Sequence, residues 1–81
     1  LYTISVRREV LKALRSVPKE FRDPIQDRIN QLAQDPRPSG AKKLHRGGYR
    51  VRQGAYRIVY EIDDNDLLIT ITAVKHRKDA Y

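Results

Sequence analysis

The chain has 81 residues, enough for one domain over residues 1–81 and too few for two. It contains no cysteine and two histidines, His45 and His76, which excludes a disulfide scaffold and a thiolate zinc site. No carboxylates are spaced to complete a metal site either, so neither a metal nor a small-molecule cofactor is expected. The net charge is +7; no apolar run nears the ~20 residues of a membrane span and no signal-peptide pattern opens the chain, so a cytoplasmic protein without a membrane partner is expected.

Residues 1–6 alternate, with Tyr2, Ile4 and Val6 on one face, and read as a strand. Ser5 can cap the helix that follows, in which Val10, Leu14 and Val17 recur at helical spacing beside Leu11. Pro18 ends that helix and can open a second, with an apolar stripe of Phe21, Ile25, Ile29, Leu32 and Ala33. Pro24 leaves two starts open: a helix capped by Asp23, or a longer one from Pro18 distorted at the proline. The run Asp35-Pro36-Arg37-Pro38-Ser39-Gly40 stops it. Residues 49–53 and 56–62 then alternate around a Gly54-Ala55 turn, and beyond a turn at 63–66 a third apolar run covers 67–74. The expected fold is α+β: an N-terminal strand, a hairpin of two helices and a three-stranded antiparallel meander, with the helices on one face of the sheet.

The charge is concentrated. Between Asp35 and Glu61 there is no acid, while Arg37, Lys42, Lys43, Arg46, Arg50, Arg52 and Arg57 all fall there; the rest of the chain carries ten bases and ten acids. A surface without a task mixes its signs, so this field points to phosphates, an acidic protein, or both. Strand parity puts Tyr49, Val51, Tyr56, Ile58, Tyr60 and Ile62 on the face toward the helices and Arg50, Arg52, Arg57, Val59 and Glu61 on the other. If Gly54-Ala55 is the whole turn, Arg52 lies opposite Arg57, a repulsion of a few tenths to ~1 kcal/mol. If the second loop is 63–66, Ile62 faces Leu67 and Arg57 faces Thr72. Thr70, Thr72, Val74 and His76 then join the arginine face, with Arg77 and Tyr81 close by. Against this, an arginine on an outer face is ordinary, the core tyrosines read as packing, and Arg7, Arg8, Lys12 and Arg15 read as a solvated helix face with Glu9.

The run Gly54-Ala55-Tyr56-Arg57-Ile58-Val59-Tyr60 and the closing His76-Arg77-Lys78-Asp79-Ala80-Tyr81, with Lys43-Leu44 before a glycine turn and the two-helix first half, resemble the RelE/ParE toxin superfamily over essentially the whole chain. In its RelE branch the resemblance implies a ribosome-dependent endoribonuclease that enters the A site and cuts the exposed codon of mRNA. There the 2′-hydroxyl attacks the adjacent phosphorus, without metal, and a cyclic phosphate is left. It further implies that Arg57 binds the scissile phosphate, that Arg77 assists the phosphate or the leaving group, and that Tyr81 stacks on the codon base. Arg50, Arg52, Lys43 and Arg46 would bind RNA. Arg50 and Arg52 stand where the best-known RelE toxin has lysines; arginine is a poor general base, and His76 is the candidate to replace one. The implied partners are the ribosome, mRNA and a cognate acidic antitoxin of the RelB type, which such a cation-rich face suits. Two other readings stay open: a poison of DNA gyrase, as in the ParE branch, and a non-catalytic basic RNA-binding module.

Overall fold

The computed structural model describes residues 1–79. In chain order it contains β1 (Thr3–Val6), α1 (Arg8–Arg15), α2 (Lys19–Leu32), β2 (Lys42–Lys43), β3 (Tyr49–Gln53), β4 (Tyr56–Asp63) and β5 (Leu68–His76), followed by a 3-10 turn, Arg77–Asp79. The sheet runs β1-β5-β4-β3-β2. β1 is parallel to β5 and every other pair is antiparallel. This is the expected α+β arrangement with one addition, the short edge strand β2, whose two residues are too few to show a period.

The core forms where the two periodicities meet. Val10 and Leu14 from α1 and Ile25, Ile29 and Leu32 from α2 close on Val51, Ile58, Tyr60, Ile69 and Ile71 of the sheet. Burying each large aliphatic side chain contributes about 1.5–3 kcal/mol. Pro24 lies inside α2, and the Phe21 and Arg22 N–H groups already donate to the Pro18 carbonyl, both at 2.9 Å. The longer helix therefore forms, because a proline this near the N-terminus removes only one hydrogen bond of the ladder. Two sequence expectations need correction. Ser5 is not a cap but part of β1, because pairing with β5 continues through Val6 opposite Ile71 and the cap position falls to Arg7. Phe21, at one end of the α2 stripe, is half exposed, as is Leu11.

The hairpin of β3 and β4 has the expected register, with Arg52 opposite Arg57 across a turn in which Gly54 takes φ +60°. The register of β4 and β5 differs. Ile62 faces Ile69 rather than Leu67, because Asp63 Oδ1 accepts the N–H groups of Asn65 and Asp66, both at 3.0 Å, and holds a turn that runs on to Leu67. A bulge follows: Tyr60 pairs with Ile71 but Val59 pairs with Ala73, leaving Thr72 as the extra residue, its hydroxyl donating to the Val59 carbonyl at 3.2 Å. One inserted residue inverts the facing of everything beyond it. Ala73 and Lys75 therefore join the arginine face, and Val74 and His76 turn toward the helices.

Candidate functional site

Arg57 sits in the middle of the face opposite the helices. Its Cα is paired with Arg52 on one side and Lys75 on the other. It is the one charged side chain buried among the described residues, 8% exposed. Its pKa is held below the ordinary arginine value by burial first, then by the Arg50 and Arg52 charges. The guanidinium stays protonated even so, because arginine starts so far above neutrality. A cation desolvated and crowded by like charges is a poor structural element and a strong anchor for an anion that enters and offsets the field.

Two recesses open beside it. One, of about 280 Å³, is lined by Arg52, Arg57, Arg77 and the Gly54-Ala55-Tyr56 segment. The other, of about 290 Å³, is lined by Gly40, Lys42, Arg50, Arg52 and Arg57. Arg52 and Arg57 are shared between them, so together they form one cationic trough. Arg77 reaches it because its N–H donates to the Ala55 carbonyl at 2.7 Å, tying the chain after β5 to the β3–β4 turn.

The structure thus brings together Arg50, Arg52, Arg57 and Arg77 from the sequence-derived set. It does not bring in three others. His76 pairs with Tyr56 and packs edge-on against that ring, at 5.1 Å between centroids, on the helix side. Lys43 is opposite Tyr49, on the helix side as well. Arg46 lies in the exposed loop between β2 and β3, beyond the Tyr49 end of the strand and away from Arg77. Tyr81 lies outside the described residues. Two cations were missed, Lys42, opposite Arg50, and Lys75, opposite Arg57. A signal for Lys75 existed: unbroken alternation through 69–75 puts a lysine in the stripe of Ile69 and Ile71 and turns Val74 outward, a conflict that a bulge resolves. Among the described residues no group of three His, Asp or Glu side chains is placed to hold a metal ion.

The other end of the sheet has the opposite character. A wider depression of about 770 Å³ is lined by Gly47, Gly48, Tyr49, Glu61, Asp63 and Asp64, among others. It is larger than either basic recess, but its carboxylates repel a polyanion, and size alone does not make it the site. Here Arg37 donates to both carboxylate oxygens of Asp64, at 2.9 and 3.4 Å, and to the Tyr49 hydroxyl at 3.0 Å, while the Tyr2 hydroxyl donates to Asp64. Asp64 is held below the usual carboxylate range by the Arg37 bond first and the Tyr2 bond second, and the Arg37 pKa is raised chiefly by Asp64. Nearby, the buried Tyr60 hydroxyl donates to the Pro36 carbonyl at 2.7 Å, and its pKa is pushed up to about 12, mainly by burial.

The family model of the ParE toxin of the type II toxin–antitoxin system parDE matches residues 2–81. The chain is 31% identical to Toxin RelG of Mycobacterium tuberculosis, over 99% of this chain and 91% of that protein. Among solved structures, it is similar to the RelE–RelB complex from Pyrococcus horikoshii, with TM-score 0.82, 28% identity and 94% of each chain covered. It is also similar to the RelBE2 toxin–antitoxin complex from Mycobacterium tuberculosis, with TM-score 0.82 and 26% identity over 94% of this chain and 98% of that one. The isolated RelE toxin of E. coli shares the fold, with TM-score 0.80 at 21% identity over 94% of this chain and 84% of that one.

Proposed function

This chain belongs to the RelE/ParE toxin superfamily of type II toxin–antitoxin systems, and we propose that it is a ribosome-dependent endoribonuclease that cuts mRNA in the cytoplasm. The observation that carries the reading is Arg57, a buried guanidinium flanked by Arg50, Arg52, Lys75 and Arg77 on an open face. Cleavage joins the 2′-oxygen to phosphorus and breaks the bond from phosphorus to the 5′-oxygen. The products are a 2′,3′-cyclic phosphate and a 5′-hydroxyl. Negative charge grows on the two non-bridging oxygens in between, where a fixed cation in a desolvated site stabilises it most. Arg57 takes that position, and Arg52, shared by both recesses, holds the same phosphate or its neighbour. Arg77 lines the recess on the leaving-oxygen side, and Lys75, beside Arg57 on the neighbouring strand, reaches toward it from the recess margin. An ammonium can release a proton where a guanidinium cannot, so Lys75 supplies the proton that the 5′-oxygen takes up. The base that removes the 2′-proton is a group of the ribosome-bound substrate or a water at the trough, since among the described residues no carboxylate lines either recess.

Lys42, Arg50 and Arg52 extend the field along the strand backbone, and Tyr81 stacks on the codon base, as the resemblance implies. The same cationic face suits an acidic antitoxin, and the similar structures from Pyrococcus horikoshii and Mycobacterium tuberculosis are toxin–antitoxin complexes. An antitoxin that covers the trough silences the toxin by occupying the phosphate site. A second reading, poisoning of DNA gyrase, is favoured by one observation, that the matching family model is the ParE toxin. The two are separated by incubating the protein with ribosomes programmed with a defined message and mapping the ends. Cuts within the A-site codon, with a cyclic phosphate on the upstream fragment, support the nuclease. Uncut message, together with gyrase–DNA cleavage complexes in a parallel assay, transfers the chain to the gyrase poisons.

A further inference from the structure

His76 is turned away from the trough, yet it sits immediately before the residue that enters it. Its ring stands edge-on to Tyr56 at an interplanar angle of 89°, and Tyr56 in turn packs on Phe21 of α2 with centroids 6.3 Å apart. The imidazole Nδ1 accepts the N–H of Lys78 at 3.2 Å. That acceptor role requires a lone pair on Nδ1, so the neutral ring carries its proton on Nε2. Between these two anchors lies Arg77, whose N–H is fixed to the Ala55 carbonyl and whose side chain lines the recess with Arg52 and Arg57.

We infer that His76 is a positioning residue: held against Tyr56, it folds the chain after β5 into its 3-10 turn by accepting the Lys78 N–H, and so aims Arg77 into the trough. Beyond the Arg77 N–H bond to Ala55, β5 has ended at His76 and Arg77 and Lys78 are exposed, so the Lys78 N–H relies on the imidazole. A short turn outside a regular element is ordered by side chains that satisfy its backbone donors. The ring offers two separable features, an aromatic edge for Tyr56 and an acceptor one bond from Cγ. Asparagine keeps an acceptor at that distance from the backbone without the ring. Phenylalanine keeps the ring without the acceptor.

The inference rests on the nuclease reading only where cleavage is measured. The experiment compares the parent, His76→Asn and His76→Phe by amide hydrogen exchange at Arg77 and Lys78, and by single-turnover cleavage of ribosome-bound message. The expected result is that His76→Asn retains the slow exchange at Lys78 and most of the cleavage rate. His76→Phe then exchanges fast at Lys78 and cleaves about ten- to a hundredfold more slowly, the range expected for a misplaced catalytic cation. His76→Phe behaving as the parent in exchange overturns the inference in favour of ring packing alone. His76→Asn cleaving as slowly as His76→Phe, with Lys78 still protected, overturns it in favour of proton transfer by the imidazole. A parent that cuts no message defeats the nuclease reading, and the exchange comparison still decides the positioning role.

Discussion

Arg37, in the segment before β2, and Arg57, within β4, are the same residue type in opposite electrostatic states. Arg37 is exposed, bonded to Asp64 and Tyr49, with its pKa raised by that acid. Arg57 is buried, and its pKa is lowered by burial and by two more arginines. The first holds structure together: it joins the segment before β2 to the turn after β4 and, through Tyr2 and Asp64, to the start of the chain. The second stores unfavourable charge that a phosphate can offset. One end sets a cation against a carboxylate, and the other gathers like charges around a single buried guanidinium.

Breaking the comparison at the basic end has the largest effect. Arg57→Ala is expected to lower single-turnover cleavage by about 10²–10³-fold, the cost of losing one preorganised charge-stabilising group. Its melting temperature is expected to change little, since relief of the repulsion with Arg50 and Arg52 offsets the contacts that the buried side chain loses. A strong fall on thermal scanning would show that Arg57 is structural, as Arg37 is. Next, Lys75→Ala is expected to lower cleavage by about 10²-fold, and Lys75→Arg to restore part of the charge effect but not the proton transfer. Equal rates for Lys75→Ala and the parent would remove Lys75 from the mechanism.

The facing of Lys75 also shows how far the sequence could be read. The hairpin of β3 and β4 was legible because Gly54-Ala55 fixes its register, and with it the opposition of Arg52 and Arg57. The register of β5 was not, because the bulge at Thr72 lies within a run of β-branched and apolar residues that carries no turn residue to mark it. Tertiary packing decides there: Ile69, Ile71 and Val74 all reach the core only if one residue is looped out. His76 and Lys75 exchanged faces for that reason alone. Lys43 and Arg46 had no facing to read, since a two-residue edge strand and the loop after it leave no pattern by which to assign one.

At the matched end the expected effects are smaller and fall on stability rather than activity. Arg37→Ala should lower the melting temperature by a few degrees and leave cleavage unchanged; loss of cleavage in a folded variant would extend the active face to this end. The pH dependence carries the same contrast. Asp64 has a depressed folded pKa, so its contribution is present above the ordinary carboxylate range and is lost as pH falls through the folded value. Denaturant melts of the parent and Asp64→Asn should therefore converge at acid pH and separate as pH rises. Tyr60 has the opposite sign. Its raised folded pKa gives stability that is fully present below about 10, the ordinary tyrosine value, and is lost between there and about 12. Tyr60→Phe should remove that alkaline loss while costing about 0.5–1.5 kcal/mol near neutrality for the hydrogen bond to Pro36. An unchanged alkaline limb would place the titration on another group.

The central claim is that the cationic trough around Arg57 cuts mRNA on the ribosome. Its most direct test is transcript-wide mapping of 5′-hydroxyl ends after brief induction of the parent and of Arg57→Ala at equal protein levels. The account predicts ends inside translated codons with the parent, in frame with the ribosome, and their loss with Arg57→Ala. Intact transcripts with the parent, or the same in-frame ends with Arg57→Ala, would contradict it.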